Sequence, residues 1–208
     1  MILKKMFLCM ERLLGAHNAH TGAEPRGVWS RLLNFTARCQ RLDVMELLDR
    51  GVRFFDFRVR CDGRTGEVYF CHGLVRYRGS VTEVLGRMDS FLLCRGEVGY
   101  VRVVYDDTFG HGYRPLPAVF VRFLDVLRHV CVVEVVRKSD WTVVLPVQEV
   151  NVGVIDCFRN YRGYRWIPCP DLWTRRHRDG IQRYIDAHRG YLNRDTVFLC
   201  DRVELFRV

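Results

Sequence analysis

Hydrophobic residues in this chain fall into short runs that alternate with longer stretches of helical periodicity. Runs rich in β-branched and aromatic residues predict strands at Val52–Val59, Val68–Cys71, Val98–Tyr105, Val130–Val136, Thr142–Leu145, Val152–Cys157 and Thr196–Cys200. Apolar residues spaced three and four apart predict helices at Leu42–Asp49, Val81–Leu93, Leu116–His129 and Leu172–Leu192. Strand and helix therefore alternate along most of the chain.

The helix predicted at Val81–Leu93 carries signals at both ends. Ser80 stands three residues before Glu83, which is the spacing of a capping box. Gly96 follows the last apolar position and can adopt the left-handed conformation that ends many helices. We therefore expect the helix to begin just after Ser80 and to end just before Gly96.

The alternation of strands and helices predicts an α/β fold with parallel strands joined by crossover helices. Nearly continuous apolar strands such as VVEVV suit a sheet that is buried on both faces. We expect a small, irregular TIM (β/α) barrel, with one or more helices replaced by loops because 208 residues are few for eight βα units. A doubly wound open sheet is the alternative, although the sequence has no G-x-G-x-x-G or Walker-type loop.

Length, composition and charge indicate how many domains the chain forms and which class of partner it binds. A chain of 208 residues with 49% hydrophobic composition is long enough for one core and short for two, so residues 1–208 are expected to form a single domain. The formal charge of +9, from 33 Lys and Arg against 24 Asp and Glu, suits anionic phosphates or an anionic membrane surface. The basic residues are scattered, so a solvated basic surface is equally open and no nucleic-acid partner is expected.

Cysteine usage and the N-terminal segment point to a reducing compartment. The nine cysteines include no C-x-x-C pair, which argues against a structural metal site. Cys71 and Cys200 lie in strand-like runs and are expected to be buried free thiols. Glu11 and Arg12 interrupt the N-terminal apolar stretch, which favours a cytoplasmic location over a cleaved signal. No run reaches the roughly 18 apolar residues of a membrane span, so any membrane contact would be peripheral.

The candidate chemistry lies in the first third of the sequence. His17 and His72 occupy turns of small residues, and between them the segment GVRFFDFRVR carries Asp56 and Arg58. Residues two apart on a strand share a face, so the aspartate and the arginine project together while the intervening phenylalanines face the opposite layer. Two imidazoles, a carboxylate and a guanidinium can carry out acid/base chemistry on a phosphate ester.

These segments resemble the phosphatidylinositol-specific phospholipase C X-domain superfamily of phosphodiesterases, in its bacterial-type branch. The family pattern is Gly-Thr-His-Asp/Asn-Ser, then Gly-Val/Ile-Arg-x-x-Asp-x-Arg, then His-Gly. The chain has GAHNA at 15–19, GVRFFDFR at 51–58 and HG at 72–73. The resemblance implies a monomeric enzyme of lipid metabolism, a phosphoric diester lyase or hydrolase. Its substrate would be phosphatidylinositol or a related glycerophospholipid, and its products a cyclic inositol phosphate and diacylglycerol.

The resemblance also implies roles for individual residues. His17 matches the general base that acts on the inositol 2-hydroxyl, and His72 matches the general acid that protonates the departing diacylglycerol oxygen. Arg58 would hold the phosphate, and Asp56 would orient the arginine and the substrate hydroxyl. The calcium-dependent branch has an acidic residue at the position of Arg58, so we expect metal-independent catalysis without a cofactor.

Four further positions match the family pattern less closely. Asp171 and Trp173 of CPDLW have the spacing of the residues that cradle the inositol ring, and Asp201 matches the carboxylate that holds the base histidine. Asn18 stands where bacterial-type enzymes have aspartate. The resemblance therefore predicts reduced turnover, because His72 would lack a carboxylate partner.

Two alternative functions remain open. A catalytically weak barrel could serve as a phosphoinositide or lipid-binding module, which Asn18 favours, and a hydrogen bond between His17 and Asp201 would argue against it. A metal-dependent glycerophosphodiester phosphodiesterase is the other, against which Arg58 argues. The remaining histidines are expected on the surface or on helix faces: His20, His111, His129, His177 and His188.

Overall fold

The structure is a computed structural model that describes residues 13–140, 144–147, 152–157, 161, 169–188 and 196–207. Its strands are β1 (Leu13–Ala16), β2 (Phe54–Cys61), β3 (Val68–His72), β4 (Val75–Ser80), β5 (Gly99–Tyr105), β6 (Val130–Arg137), β7 (Val144–Val147), β8 (Val152–Asp156) and β9 (Thr196–Cys200). Its α-helices are α1 (Val28–Leu33), α2 (Val44–Asp49), α3 (Val81–Arg95), α4 (Ala118–Val126) and α5 (Pro170–His188). Short 3₁₀ helices cover Ala19–Gly22, Asn34–Thr36 and Val203–Leu205.

One mixed sheet joins all of these strands. Parallel pairs connect β6 to β5, β5 to β2, β2 to β1, β1 to β9 and β9 to β8, and β7 pairs antiparallel with β8. The later part of β2 also pairs antiparallel with β3, which continues into β4. Apart from β3 and β4, the strand order is β6-β5-β2-β1-β9-β8-β7. The first strand therefore lies between the second and the last, as it does in a sheet that closes into a barrel. This order differs from a doubly wound sheet, in which the first strand does not pair with the last.

The expectation of an α/β fold is confirmed, but a closed barrel is not seen among the described strands. Within the described ranges, no pairing joins β6 to β7, so the sheet is open at that point. Residues 141–143, which connect the two strands, lie outside the description, as does the start of the strand predicted at Thr142–Leu145. The architecture is therefore a mixed α/β sheet whose described part is open.

Both faces of the sheet are apolar, which explains why its strands read as nearly continuous hydrophobic runs. Phe55 and Phe57 of β2 belong to the large core between the sheet and the helices, as expected from their alternation with the polar residues. The opposite face has a smaller cluster that contains Phe54, Tyr100, Val197 and Leu199. This second cluster forms an apolar floor beneath the polar residues that follow on the same strands.

Gly15 of β1 is required by this floor. A Cβ at position 15 would lie 2.8 Å from Val197 Cγ1 and 3.1 Å from both Leu199 Cδ1 and Phe54 Cδ1. Interiors are close-packed and cannot admit an extra atom at such distances without shifts. The small residue before His17 is therefore a packing requirement of the strand that carries the histidine.

The helix boundaries agree in part with the sequence prediction. The end signals of α3 are present, since Ser80 accepts a hydrogen bond from the Glu83 backbone N–H and Gly96 has φ 66°. A complete capping box occurs instead at α2, where Asp43 and Glu46 each accept a hydrogen bond from the other's backbone N–H. Helix α4 ends at Val126, three residues before the predicted end. The predicted end of the last helix lies outside the described residues.

Three short elements were not predicted: β1, β4 and α1. Strand β1 has four residues, too few to show a period, and β4 reads VRYRGS, with several polar residues. Helix α1 has six residues and exposes Val28, Trp29 and Leu32, while Leu33 packs partly against the core. Periodicity identifies elements that bury one face, so short or outward-facing elements escape it.

Two expectations from composition can be compared with the structure. Every described cysteine is free, and Cys71 and Cys200 are buried as predicted. The described helices include none that is both long enough and apolar enough to cross a membrane.

Candidate active site

The polar residues of the candidate site lie above the apolar floor: His17 and Asp201 directly follow the ends of β1 and β9, and Asp56 lies within β2 beside them. Ala16 of β1 is in register with Phe55 of β2 and with Cys200 of β9. The next residues along these strands are His17, Asp56 and Asp201, so three chain segments distant in sequence place polar side chains beside one another. All three side chains are buried.

His17 is held at both ring nitrogens. Nδ1 lies 2.7 Å from Asp201 Oδ1, and Nε2 lies 3.1 Å from Arg58 Nη2. A guanidinium only donates hydrogen bonds, so Nε2 must be the accepting nitrogen and Nδ1–H must donate to the carboxylate. The two contacts thus select the tautomer in which Nε2 carries a lone pair, as a general base requires.

Gln40 holds the loop of His17 against the loop of Asp201. Its fully buried amide Nε2 donates to the carbonyl oxygens of His17 and Cys200, each at 2.8 Å. Its Oε1 accepts from the Val203 backbone N–H at 3.2 Å. A buried side chain that satisfies backbone groups of two segments fixes their separation. The short distance from His17 to Asp201 therefore depends on Gln40 as well as on strand pairing.

Asp56 is fully buried and lies in the same polar layer. Its Oδ1 accepts from Arg102 Nε at 2.8 Å, and Oδ2 accepts from the Asn18 backbone N–H at 3.4 Å. The same Oδ2 lies 3.9 Å from His17 Nε2. Arg102 of β5 is in register with Asp56 of β2 on one side and with Glu134 of β6 on the other. Acidic and basic side chains therefore alternate across the sheet at this level. The ion pair with Arg102 offsets the cost of burying the Asp56 charge.

His72 ends β3 on the far side of β2. Its Nδ1 donates to the Ala37 carbonyl oxygen at 2.6 Å, which leaves Nε2 as the nitrogen able to exchange a proton with a ligand. Burial lowers the pKa of His72 well below its usual value, and the nearby charge of Arg58 lowers it further. The partner of Nδ1 is a neutral carbonyl, so it stabilises the imidazolium less than a carboxylate would.

Asp106, which follows β5, supports the turn after His72. Its Oδ2 accepts from the Gly73 backbone N–H at 2.9 Å, and its Oδ1 lies 3.4 Å from Arg60 Nη2 and 3.8 Å from Lys138 Nζ. Burial by itself raises the pKa of Asp106, but Lys138 and other positive groups lower it more, so the net direction is downward. Asp106 is therefore an ionised anchor for the His72 turn.

Cys39 lies between the two histidine motifs. Asn18 Nδ2 is 3.3 Å from Cys39 Sγ and 3.2 Å from His17 Nε2, and His72 Nδ1 is 3.8 Å from the same sulfur. The thiol also contacts the Asp201 carboxylate. Burial and the Asp201 charge raise the pKa of Cys39 well above its usual value, so it is a thiol at neutral pH. His17, Cys39 and Asp201 offer donor atoms that all lie within 4.8 Å of one another.

The expectation that His20 lies on the surface or on a helix face was wrong, because its side chain is buried. Its ring is 1% exposed, stacks on Phe70 and donates from Nε2 to the Cys71 carbonyl at 2.8 Å. Burial lowers the pKa of His20 to about 3. His20 is thus a neutral core residue that packs the loop carrying His17 onto β3.

Asp171 and Trp173 lie near the start of α5. The Asp171 carboxylate contacts Arg202, Arg41 and Arg175. Trp173 packs edge-on to Tyr161. A role for either residue in headgroup binding stays a prediction.

Several residues of this layer were missed by sequence reasoning. Arg102 and Lys138 lie within or after apolar strands, and Gln40 and Cys39 lie in a loop without a motif. One signal was available for Arg102, since a lone arginine inside the run GYVRVVY must pair with an acid once the strand is buried. Asp106 directly follows the apolar strand β5 and belongs to no motif.

Comparison with known proteins gives a likeness in structure alone. No protein-family model matches the sequence, and no protein of curated function matches it either. A structure of a phosphatidylinositol-specific phospholipase C variant from Staphylococcus aureus matches with a TM-score of 0.59 and 14% identity, over 94% of this chain and 72% of that one. A pentafluoro-Phe form of the phosphatidylinositol-specific phospholipase C from Staphylococcus aureus gives 0.57 and 14%, over 95% and 78%. The chain thus has the fold of these phospholipases.

Proposed function

We propose that the protein is a phosphodiesterase that cleaves phosphatidylinositol or a related glycerophospholipid by His/His general acid-base catalysis, without a metal. The observation that carries the proposal is the pair of contacts on His17. Asp201 lies behind the ring at 2.7 Å and Arg58 lies in front of it at 3.1 Å. A base backed by a carboxylate and facing a phosphate-binding cation suits an attack by a neighbouring hydroxyl on a phosphodiester.

His17 is the base in the first half of the reaction. The substrate hydroxyl gives its proton to Nε2 and attacks the phosphorus, and Asp201 stabilises the imidazolium that forms. Arg58 donates to Nε2 in the free protein. When the phosphate binds, the guanidinium turns its hydrogen bonds to the phosphate oxygens and leaves Nε2 to the hydroxyl. Arg58 then stabilises the charge on the pentacoordinate phosphorus.

His72 completes the reaction as the acid. The bond from phosphorus to the diacylglycerol oxygen breaks, and that oxygen takes a proton from His72 Nε2, which leaves a cyclic phosphate on the inositol. The anionic phosphate favours the imidazolium, against burial and Arg58, which lower the pKa of His72. The neutral Ala37 carbonyl on Nδ1 gives less support than a carboxylate. We therefore propose slow turnover compared with an enzyme whose acid histidine has a carboxylate partner.

We also propose that the sheet closes into a small, irregular barrel. The strand order supports closure, because apart from the β3–β4 hairpin only β6 and β7 lack a described partner on one side. Closure would surround the layer of Asp56, Arg58 and Arg102 with strands. Charged side chains can be buried in this way when each is paired with an opposite charge, as Asp56 is with Arg102 at 2.8 Å.

An enzyme that acts on a lipid needs a surface that binds the membrane, and α1 is the best candidate for that surface. Trp29 is 78% exposed, and Val28, Leu32 and Phe35 beside it are exposed as well. Large apolar side chains that cluster on an outer surface mark interaction sites, and exposed arginines flank this cluster. We propose that α1 rests transiently on an anionic lipid surface and that the protein acts as a monomer. The free cysteines support a reducing, cytoplasmic setting.

The test is the release of cyclic inositol 1,2-phosphate from phosphatidylinositol vesicles in the presence of EDTA. We expect product from the native chain and from the control variant His188→Ala, whose histidine lies on α5 and donates to Tyr184. His17→Ala and His72→Ala should each lose roughly 10²–10⁴-fold in rate. Product that needs added Mg²⁺ or Ca²⁺ would favour the metal-dependent alternative. Folded protein that binds the vesicles without forming product would favour a lipid-binding module.

A further inference from the structure

Cys39 is the residue around the site that the proposed reaction does not use. Its thiol is 1% exposed and lies among the Asn18 amide, the His72 ring and the Asp201 carboxylate. A cysteine that serves only as packing is usually surrounded by apolar groups. Here the surrounding groups include an imidazole and a carboxylate, which bind transition metals, and His17, the proposed general base, has a ring nitrogen within 4.8 Å of the sulfur.

The donor atoms have a spacing that a tetrahedral zinc ion can accept. Zn²⁺ binds sulfur at about 2.3 Å and nitrogen or oxygen at about 2.0–2.2 Å, so its ligand atoms lie roughly 3.3–3.7 Å apart. The ring nitrogen of His17, Cys39 Sγ and an Asp201 carboxylate oxygen already lie within 4.8 Å of one another. Small rotations bring the sulfur closer and open the hydrogen bond from His17 to Asp201, which is 2.7 Å long. Across the described residues, this is the single trio of such donors.

Asn18 supplies a fourth donor. Its Nδ2 lies 3.3 Å from Cys39 Sγ and at nearly equal distances from the two ring nitrogens of His17, 3.3 Å from Nδ1 and 3.2 Å from Nε2, so the amide lies against the ring and next to the sulfur. The side chain is fully buried, and its Oδ1 has no hydrogen-bond partner. Rotating the amide by half a turn exchanges the two atoms and points the oxygen at the same position. The site can therefore offer one sulfur, one nitrogen and two oxygens to a metal ion.

We propose that His17, Cys39, Asp201 and Asn18 form a Zn²⁺ site and that zinc inhibits the protein by occupying the base. The inhibition rests on the proposed function, whereas the binding does not. A thiolate ligand selects Zn²⁺ over Mg²⁺ and Ca²⁺, which prefer oxygen. Binding takes up one Zn²⁺, and the proton of the Cys39 thiol passes to solvent.

The charge balance allows zinc on this side of His17 although Arg58 is close. Arg58 faces Nε2, whereas Asp201 faces Nδ1 on the opposite side of the ring. The carboxylate of Asp201 and the thiolate of Cys39 neutralise the two charges of the ion. The zinc-bound site is therefore neutral, one unit more positive than the metal-free site, in which Asp201 is charged and Cys39 is a thiol. Arg58 must also turn its N–H groups away from the Nε2–H of the metal-bound ring, as it does when it binds the phosphate in the proposed reaction. Metal-independent catalysis at Nε2 is consistent with a zinc site at Nδ1, because the two nitrogens face opposite sides of the ring.

Zinc at Nδ1 would disable the base for a specific reason. A neutral imidazole that coordinates a metal through Nδ1 carries its proton on Nε2. Nε2 is the atom that must accept the proton of the attacking hydroxyl, so the metal-bound ring has no basic nitrogen left. Zinc also takes Asp201 away from the imidazolium it would stabilise. Loss of activity should therefore follow occupancy of the site.

The experiment measures zinc binding to the full chain directly, by competition with a chromophoric chelator under reducing conditions. We expect one tight site in the native protein and in Cys94→Ser, which removes an exposed thiol as a matched control. Cys39→Ser should bind zinc at least about 100-fold more weakly. Loss of a residue that only hydrogen-bonds to a metal ligand costs roughly 10- to 100-fold in affinity, so a larger loss indicates direct coordination. Asp201→Asn, which changes one oxygen to nitrogen, should weaken binding similarly and provides a second variant if Cys39→Ser does not fold.

A spectrum and an activity assay complete the test. Co²⁺ in place of Zn²⁺ should give a thiolate charge-transfer band in the native protein and in Cys94→Ser but not in Cys39→Ser. Unchanged zinc affinity in both Cys39→Ser and Asp201→Asn would overturn the proposal, and so would the absence of the band from the native protein. Zinc should abolish product release from phosphatidylinositol with the same midpoint as binding. Tight binding by a protein that never forms product would leave the zinc site standing and refute the proposed reaction.

Discussion

At the scale of single residues, the properties of His17 depend on different neighbours at its two ring nitrogens. Asp201 accepts from Nδ1, and Arg58 donates to Nε2. The donor Arg58 requires a lone pair on Nε2, and the acceptor Asp201 requires a proton on Nδ1, so both contacts favour the same neutral tautomer. In the proposed reaction the carboxylate would act only through the imidazole, by holding the ring and stabilising its positive charge.

Replacement of Asp201 tests this dependence. Asp201→Asn keeps the shape of the side chain but removes its charge and can donate to Nδ1, which favours the wrong tautomer. We expect kcat to fall roughly 10²–10⁴-fold with little change in KM, as for other aspartates that hold a catalytic histidine. The measurement is the rate of cyclic phosphate release at several vesicle concentrations, with the exposed Asp179→Asn as control. An unchanged kcat would exclude Asp201 from the reaction.

The lowered pKa of His20 predicts how the free energy of unfolding changes with pH. Burial lowers its pKa to about 3 in the folded protein, from 6.5. The neutral form is thus favoured by folding, and its contribution is complete above pH 6.5. As the pH falls from 6.5 towards 3, the unfolded chain takes up a proton that the folded protein does not, so stability is lost. The free energy of unfolding should fall by about 1.4 kcal/mol per pH unit from this residue.

Urea unfolding at pH 7, 6 and 5 measures that slope. His20→Gln retains a donor for the Cys71 carbonyl but does not titrate, so its slope should be smaller than that of the native protein. The pKa of His72 is also lowered by burial, so the variant should still lose some stability in acid. Equal slopes for the two proteins would show that His20 is not buried in its neutral form.

At the scale of elements, α1 differs from the other helices in the face that it exposes. Helix α3 buries Val81, Leu85, Met88 and Leu92 against the sheet, whereas α1 buries only Ser30. A helix of six residues is too short to be stable by itself. Its contacts with β4, among them the hydrogen bond from the Arg76 backbone N–H to Ser30 Oγ, keep it in place with its apolar residues outward.

Replacing those apolar residues should separate membrane binding from chemistry. Leu32 is 60% exposed on α1, and Leu93, at 56%, offers a matched exposed leucine on α3. We expect the double variant Trp29→Ser, Leu32→Ser to bind phosphatidylinositol vesicles at least about tenfold more weakly, because each lost apolar contact is worth roughly 1–3 kcal/mol. Leu93→Ser should bind like the native protein. Sedimentation with vesicles measures binding, and equal binding by all three proteins would contradict the role of α1.

At the scale of the whole molecule, the charge of +9 should govern association with lipid. Each Lys or Arg near an anionic membrane contributes about 1 kcal/mol, and salt screens this attraction over a Debye length of about 10 Å at 0.1 M. We expect binding to vesicles with anionic lipid to weaken steeply between 0.05 and 0.5 M NaCl. Binding to neutral vesicles should depend little on salt. A salt-independent affinity for anionic vesicles would show that the basic residues take no part.

Zinc sensitivity would also affect how the whole protein is assayed. EDTA, which removes divalent metals, should raise activity in preparations that contain trace zinc, whereas a metal-dependent enzyme would lose activity. The same reagent thus has opposite effects under the two hypotheses.

Much of the fold can be predicted from the amino-acid sequence, because a long element that buries one face has apolar residues at a regular spacing. Strand β2 and helix α3 were predicted close to their observed bounds, since each buries apolar residues at a regular spacing. The pairing of Asp56 and Arg58 on one face also follows from the alternation along a strand. The short strand β1 escaped detection, although it carries His17 at its end.

The sequence by itself determined the candidate residues and their order: His17, Asp56, Arg58, His72 and Asp201 are all readable from motifs along the chain. Only the tertiary structure decided which atoms meet. It brought His17 and Asp201, 184 positions apart, to 2.7 Å, paired Asp56 with Arg102, and buried Cys39 between the two histidine motifs. The reason is that motifs and periodicity depend on neighbours along the chain, whereas these contacts depend on strand register and on loop packing, which involve residues far apart in sequence.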